Sequence, residues 1–249
     1  MKSKNILVLI GDWPGHIIDD LGFFRELEKR FRCQIKKENE FRYISQIKNT
    51  TLTFQFCFGV ENDSIRKQRI KIKGEVPPSI QEISKMKLKF EVIYYLGFCG
   101  VLNGKINCFY LPERFKKLSF KDYIFTQKDI QEYNIKWSIC CRNILSDKIQ
   151  GFKCTTLTIN QVLSPKYAEN NSEEVILKIA ENLKKHTDVI EMENYEIVKI
   201  FGKRYPIGIL LYGVDSPLKK EHMLKQGVSY ANWDAFKDAS IKIIGKILE

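Results

Sequence analysis

Three short apolar runs with almost no charge constrain the fold of this chain most strongly. They are Asn5 to Ile10, Phe90 to Leu96 and Pro206 to Val214. Runs of this length that end at Gly or Asp are typical of strands buried on both faces of a sheet. An amphipathic segment with helical spacing, His16 to Phe31, follows the first run. The pattern predicts an α/β fold of three layers, with a mostly parallel or mixed central sheet and helices on both faces.

The remaining secondary structure is predicted from alternation, β-branched content and helical spacing. Gly97-Phe98-Cys99-Gly100 is interpreted as a turn after the second run, and Pro112 as the end of a strand. No repeat or linker divides the chain, so we expect one domain over 1–249. The other predicted strands lie within Cys33 to Lys73 and at Ile106 to Leu111, Lys153 to Ile159 and Val189 to Met192; the other predicted helices are Pro77 to Lys87, Gln127 to Leu145, Ser172 to Lys185, Glu193 to Phe201 and Trp233 to Leu248.

Composition narrows the class of protein. The formal charge is +11, from 41 basic and 30 acidic residues spread along the chain. This fits an anionic small ligand better than a nucleic acid, which would predict steeply salt-dependent binding. No stretch approaches the roughly 20 apolar residues that a membrane helix needs. The seven cysteines show no metal-ligand spacing. We therefore expect a cytoplasmic protein with reduced thiols, no membrane association, no metal and no cofactor.

Four segments carry candidate site residues, although each has an ordinary structural interpretation. Gly11-Asp12 and Asp215-Ser216 follow strands and would serve as turns or caps. The glycines at 97 and 100 would allow close packing of the backbone. Glu193 would usually be a solvated acid that stabilises a helix start. Because ligands of open α/β sheets bind beyond the carboxyl ends of the strands, these segments are also candidates for a binding site.

The order and spacing of these segments resemble the nucleoside phosphorylase superfamily, which includes purine nucleoside phosphorylases and methylthioadenosine/S-adenosylhomocysteine nucleosidases. The resemblance comprises a first strand ending at Gly11-Asp12 and the glycine-rich segment from Gly97. It continues with Glu191-Met192-Glu193, a hydrophobic strand ending at Asp215, and an amphipathic C-terminal helix. Members of this family cleave the N-glycosidic bond of nucleosides.

The resemblance implies a role for each matching residue. Asp215 would protonate or hydrogen-bond the purine N7 as a general acid, and Glu193 would bind the sugar hydroxyls and stabilise positive charge on the ring. Met192 would pack on the ribose. Gly11, Asp12, Gly97, Phe98, Cys99, Gly100 and Asn160 would line the substrate site.

The chain also departs from the family pattern. The phosphate-binding arginines of phosphorylases align with Gly15 and Tyr95, and a serine or threonine aligns with Phe98. Losing these cations argues against phosphate and favours hydrolysis. The water-activating position falls near His16, which could act as a base or simply begin a helix. Asn160 stands where an Asp is common.

Three functions remain open from the sequence. The first is a nucleosidase that hydrolyses a purine nucleoside or a 5′-modified relative. The second is a phosphorylase with a relocated phosphate site, using Lys105, Arg114 or a neighbouring subunit. The third is a nucleoside-binding homologue without catalysis. The resemblance also implies a homo-oligomer, a dimer or a hexamer.

Overall fold

The chain forms a mixed α/β fold built on one ten-stranded sheet. The computed structural model describes residues 4–11, 16–39, 41–57, 89–118, 133, 135, 138–159, 173–219 and 232–248. The predicted helix over 77–87 and the candidate residues Asp12 and Asn160 lie outside these ranges. The strands are β1 (Lys4–Gly11), β2 (Ile35–Lys37), β3 (Arg42–Ile47), β4 (Thr50–Phe56), β5 (Val92–Val101), β6 (Phe109–Leu118), β7 (Ser138–Cys140), β8 (Phe152–Ile159), β9 (Val189–Glu191) and β10 (Ile207–Asp215).

The sheet mixes parallel and antiparallel pairs, as the sequence predicts. Strand β1 pairs in parallel with β4 on one side and with β5 on the other, while β2 and β3 extend the sheet beyond β4 in antiparallel pairs. Strands β5, β9, β8, β6 and β10 pair in a closed cycle, because β10 pairs with both β6 and β5. The predicted open sheet therefore closes on itself over this part of the chain.

Helices pack against alternate side chains of the central strands. The α-helices of the described residues are α1 (Phe23–Phe31), α2 (Glu173–Lys184), α3 (Asn194–Phe201) and α4 (Trp233–Leu248). Ile6, Val8 and Ile10 of β1 join a core with α1 and α4. Leu7 and Leu9 face the other way and join a core with α3. This alternation follows from the two-residue period of a strand.

Two predicted elements differ because of local backbone geometry. The predicted helix over 16–31 is divided into a π-helical turn at His16–Asp20 and α1 from Phe23. Gly22 separates them with a φ of 62°, a conformation that favours glycine. The predicted turn from Gly97 to Gly100 is wrong, since β5 continues through these residues to Val101.

Two further predictions are wrong because backbone groups pair with residues that are distant in the sequence. Pro112 does not end its strand, because β6 runs through it and the β6–β8 register shifts between Pro112 and Arg114, where a missing N–H is tolerated. The predicted helix over 127–145 is wrong for its last residues. They form β7 and a turn in which the buried Asn143 bonds the backbone of Pro112, Leu145 and Ile209. Among the described helices, none has the length and apolar character required to cross a bilayer.

Candidate functional site

Several of the predicted site residues that the structure describes lie where the neighbours of β5 change. Along its first half β5 pairs with β1, whose last pair is Gly11 with Gly97. Beyond that point β9 takes the place of β1 and pairs with Gly100 and Val101. Strand β10 follows the opposite edge of β5 as far as Gly100. The carboxyl end of β1 thus opens a gap in the sheet beside the end of β9, where Glu193 follows.

Glu193 is buried and does not serve as a solvated helix-start acid. It is the N-cap residue of α3, but its carboxylate makes no capping hydrogen bond, and the side chain is only 4% exposed. Its Oε2 instead accepts a hydrogen bond of 2.9 Å from the Tyr95 hydroxyl of β5. The ordinary structural interpretation of Glu193 is therefore wrong, and its carboxylate is directed at the central strand.

Glu191, rather than Glu193, caps the start of α3. Its Oε2 accepts the backbone N–H groups of Glu193 and Asn194, each at 2.6 Å. Its Oε1 accepts the hydroxyls of Thr156 and Thr158 from the neighbouring strand β8. Burial raises the pKa of Glu191, while these four hydrogen bonds act in the opposite direction. Glu191 thereby fixes the backbone that presents Glu193.

A register shift aims Asp215 at β5. The β10–β5 pairing shifts between Gly213, which faces Cys99, and Asp215, which faces Gly100. Such bulges redirect side chains at the ends of strands. A β-carbon on Gly100 would stand 2.9 Å from Asp215 Oδ1, so the carboxylate lies directly over this glycine. Gly100 and Asp215, two of the predicted site residues, are brought together here, with Asp215 half-buried at the end of its strand.

Asp215 and Glu193 contact β5 at two positions, Gly100 and Tyr95, five residues apart. Burial raises the pKa of the Cys99 thiol well above its usual value, and the neighbouring Cys154 and the negative charges of Asp215 and Glu191 raise it further. Glu193 reaches Tyr95 four residues earlier on the same strand. The structure therefore places Asp215 and Glu191 near Cys99, towards the end of β5, and Glu193 at Tyr95, nearer the middle of the strand.

Gly11, at the end of β1, and its pairing partner Gly97 on β5 accommodate a tyrosine. A β-carbon on Gly11 would stand 1.9 Å from the Tyr95 hydroxyl oxygen, and one on Gly97 would stand 2.6 Å from it. Both distances are impossible, so each glycine is required by the position of the Tyr95 side chain. The same hydroxyl that bonds Glu193 thus fills the space above Gly11 and Gly97.

The other predicted residues of the glycine-rich segment face two different layers. Phe98 packs on Trp233 and Phe236 of α4, with ring centroids 5.0 and 4.5 Å apart. Cys99 is buried in the core on the opposite face. Met192 is half-buried between β9 and α3. Only the backbone of His16, within the π-helical turn, is described.

One buried amide beside Glu193 is unpaired. Asn194 is fully buried, and its Nδ2 and Oδ1 have no hydrogen-bond partner within the described residues. Its helical spacing from Ile197, Val198 and Phe201 places it on the face of α3 that packs on the core. Buried amides without partners are rare in folded proteins and often mark the position of a water or ligand.

Two pockets among the described residues lie away from these acids. The larger, of about 440 Å³, is a groove between α1 and strands β2 and β3, and the smaller lies against α4. Over the same residues no group of three or more His, Cys, Asp or Glu could hold a metal ion. Neither pocket is lined by Glu191, Glu193 or Asp215.

Sequence reasoning missed two residues of this site. Glu191 was noted only as part of a resemblance, although an acid two residues before a helix cap is placed to accept its first N–H groups. Tyr95 was noted only as a replaced arginine. Its hydrogen bond to Glu193 joins residues 98 positions apart, a relationship that no local pattern reveals.

Comparison with known proteins connects this geometry to a fold. The sequence matches no protein-family model, and it matches no curated protein. Solved structures do match. A point variant of the 5′-methylthioadenosine/S-adenosylhomocysteine nucleosidase (MTAN) of Chlamydia trachomatis, bound to MTA, has a TM-score of 0.60 at 14% identity, over 99% of this chain and 100% of that chain.

Two other solved structures have similar scores. The MTAN of Campylobacter jejuni has a TM-score of 0.56 at 14% identity, over 99% of this chain and 97% of that chain. Uridine phosphorylase from Schistosoma mansoni, in complex with thymidine, has a TM-score of 0.58 at 12% identity, over 98% of this chain and 86% of that chain. The chain therefore has the fold of the nucleoside phosphorylase and nucleosidase superfamily, as its motifs predicted.

Proposed function

We propose that this protein cleaves the N-glycosidic bond of a purine nucleoside, or of a 5′-modified relative, by hydrolysis. The observation that carries the proposal is that Glu193 and Asp215 both contact strand β5, at Tyr95 and at Gly100. It is supported by the fold, which this chain shares with nucleosidases, including one whose solved structure holds MTA.

The two acids divide the chemistry of glycoside cleavage. As the C1′–N bond breaks, its electron pair moves onto the base, and Asp215 donates a proton or a hydrogen bond to the purine N7. General acid help of this kind contributes about 10²–10⁴-fold. Positive charge develops on the sugar, and the Glu193 carboxylate accepts the ribose hydroxyls and stabilises that charge. Met192 packs on the sugar, and His16 is the proposed base that activates water.

Water is the proposed acceptor because the anion-binding residues of phosphorylases are replaced. Tyr95, at one of the arginine positions, is committed to Glu193, and Phe98 packs on α4. The cations that a relocated phosphate site would use, Lys105 and Arg114, are both exposed to solvent. A phosphorylase would need to gather such cations from elsewhere, whereas water needs only a positioned acceptor.

The proposal extends to the whole protein. We propose a single three-layer domain that acts in the cytoplasm as a homo-oligomer, without metal or cofactor. Asp12, Gly11, Gly97, Phe98, Cys99, Gly100 and Asn160 remain the proposed lining of the nucleoside site.

A nucleoside panel tests the reaction. The protein is incubated with adenosine, inosine, 5′-methylthioadenosine and uridine, with and without inorganic phosphate, and free base is measured by chromatography. Base released without phosphate is expected from at least one purine nucleoside. Release that requires phosphate would indicate a phosphorylase, and saturable binding with no release would indicate a binding protein. Either result contradicts hydrolysis.

Isosteric variants test the assigned residues. Asp215→Asn removes the proton donor and is expected to lower kcat by about 10²–10⁴-fold. Glu193→Gln removes the charge that stabilises the sugar and is expected to lower kcat by about 10²–10³-fold. Matched controls are Asp234→Asn and Glu174→Gln, since both acids are exposed and pair only with neighbouring lysines in the described structure. Equal rates for the site variants and the controls would contradict the assignment.

A further inference from the structure

Tyr95 contacts three residues of the proposed site, Glu193, Gly11 and Gly97. Its side chain is fully buried at the centre of the sheet. The ring lies against two glycines on paired strands, since a β-carbon on Gly97 would stand 2.5 Å from its Cε1 and one on Gly11 would stand 2.6 Å from its Cζ. The space that two adjacent glycines leave open at the strand ends is therefore filled by this side chain.

The charges around the hydroxyl of Tyr95 are negative. Burial raises its pKa well above the usual value, and the carboxylates of Glu193 and Glu191 raise it further. Tyr95 consequently remains protonated and donates its hydrogen bond to Glu193 throughout the physiological pH range. An anion placed at this hydroxyl would meet two buried carboxylates, and repulsion in a poorly solvated site is strong.

We propose that Tyr95 is a positioning and specificity-determining residue of the glycosidase site. Its hydroxyl holds the Glu193 carboxylate towards the sugar, and its ring keeps phosphate out of the space above Gly11 and Gly97. This inference rests on the proposed function. In the resulting reaction, a water oxygen forms the new bond to C1′ and the C1′–N bond breaks with its electron pair going to the base. One proton of the water replaces the proton delivered to the departing base.

Tyr95→Phe separates the hydrogen bond from the ring. This variant keeps the filled space but removes the donor to Glu193. We expect kcat to fall about tenfold or more, in line with one lost hydrogen bond to a charged group, with little change in KM. Losing a donor raises the pKa of a carboxylate, so the acid limb of the pH–rate profile should move to higher pH. Tyr94→Phe is the matched control, because Tyr94 faces the opposite core. A Tyr95→Phe profile identical to that of the control would overturn the positioning role.

Phosphate provides a second and independent test. In the wild-type protein, inorganic phosphate should leave the rate of base release unchanged, and ³¹P NMR should show no sugar phosphate. A saturable increase in rate or a sugar phosphate product would overturn the exclusion of phosphate. If no nucleoside is cleaved at all, the proposed function fails. Calorimetric titration of the wild-type protein with inorganic phosphate then still tests whether the Tyr95 ring excludes phosphate. No saturable heat is expected, and saturable binding would contradict the exclusion.

Discussion

Asp215 Oδ1 lies 2.9 Å from the position that a β-carbon on Gly100 would take. The carboxylate could therefore not keep this position if residue 100 carried a side chain. Gly100→Ala should push the Asp215 carboxylate away from β5. Because a displacement of about 1 Å in a catalytic group can cost roughly 10²-fold, we expect a comparable loss of kcat. Steady-state kinetics on the best nucleoside measures it.

The control for this variant is Gly245→Ala in α4. A β-carbon there would meet only Phe31, at an ordinary contact distance of 3.5 Å. Alanine is favoured over glycine within a helix by about 1 kcal/mol, so this variant should be slightly more stable and fully active. An active Gly100→Ala protein would show that Asp215 does not need its present position.

The four hydrogen bonds of Glu191 should make it essential for folding. Glu191→Leu leaves two buried backbone N–H groups and two threonine hydroxyls without an acceptor, at about 1–3 kcal/mol each. We expect the free energy of unfolding to fall by about 3 kcal/mol or more. Glu191→Gln should lose about 1 kcal/mol, because its amide can face the threonine oxygens while its carbonyl keeps both N–H groups. Urea unfolding compares the two, and equal losses would contradict the capping role.

The raised pKa of Glu191 also predicts a pH dependence of stability. Just above the ordinary glutamate pKa of about 4.3, the folded protein still holds a proton on Glu191 that the unfolded chain has released. This contribution is therefore fully present below about pH 4.3 and is lost as pH rises through the raised folded pKa. Unfolding free energies measured across this window should show a smaller decline in Glu191→Gln than in the wild-type protein. A parallel decline in the two proteins would indicate another group.

Asn194 tests whether a buried amide without hydrogen-bond partners lowers the stability of the fold. Replacing its unpaired, fully buried amide with the similarly sized Leu should raise the free energy of unfolding by about 1–3 kcal/mol. Asn143 is the matched control, since its buried amide forms hydrogen bonds to three residues and Asn143→Leu should be strongly destabilising. Thermal unfolding measures both. A less stable Asn194→Leu protein would reveal a bound water or ligand at this amide.

Several strands and helices could be predicted from the sequence because their signals are local. The run that ends at Asp215 and the helix over 233–248 depend on apolar spacing alone, and both were found with bounds close to those observed. The predicted helix from Glu193 to Phe201 also matches the observed α3 within one residue. These features require no knowledge of distant contacts.

The remaining features depend on contacts between distant residues. Gly97 and Gly100 indicate a turn when only their neighbours are considered, but β5 stays extended through both because it pairs with β1, β10 and β9. The segment ending at Leu145 has helical spacing, yet the Asn143 side chain bonds backbone groups up to 66 positions away and holds a turn. Likewise, Glu191 rather than Glu193 caps α3, and the hydroxyl of Thr158 on another strand holds the Glu191 carboxylate in place.

The most direct test of the central claim is a crystal structure of the protein soaked with an uncleavable purine nucleoside analogue. The account predicts Glu193 oxygens within about 2.6–3.2 Å of the ribose hydroxyls and an Asp215 oxygen at the same range from the purine N7 of one molecule. A nucleoside that contacts only one of these carboxylates, or that binds away from the end of β5, would contradict it.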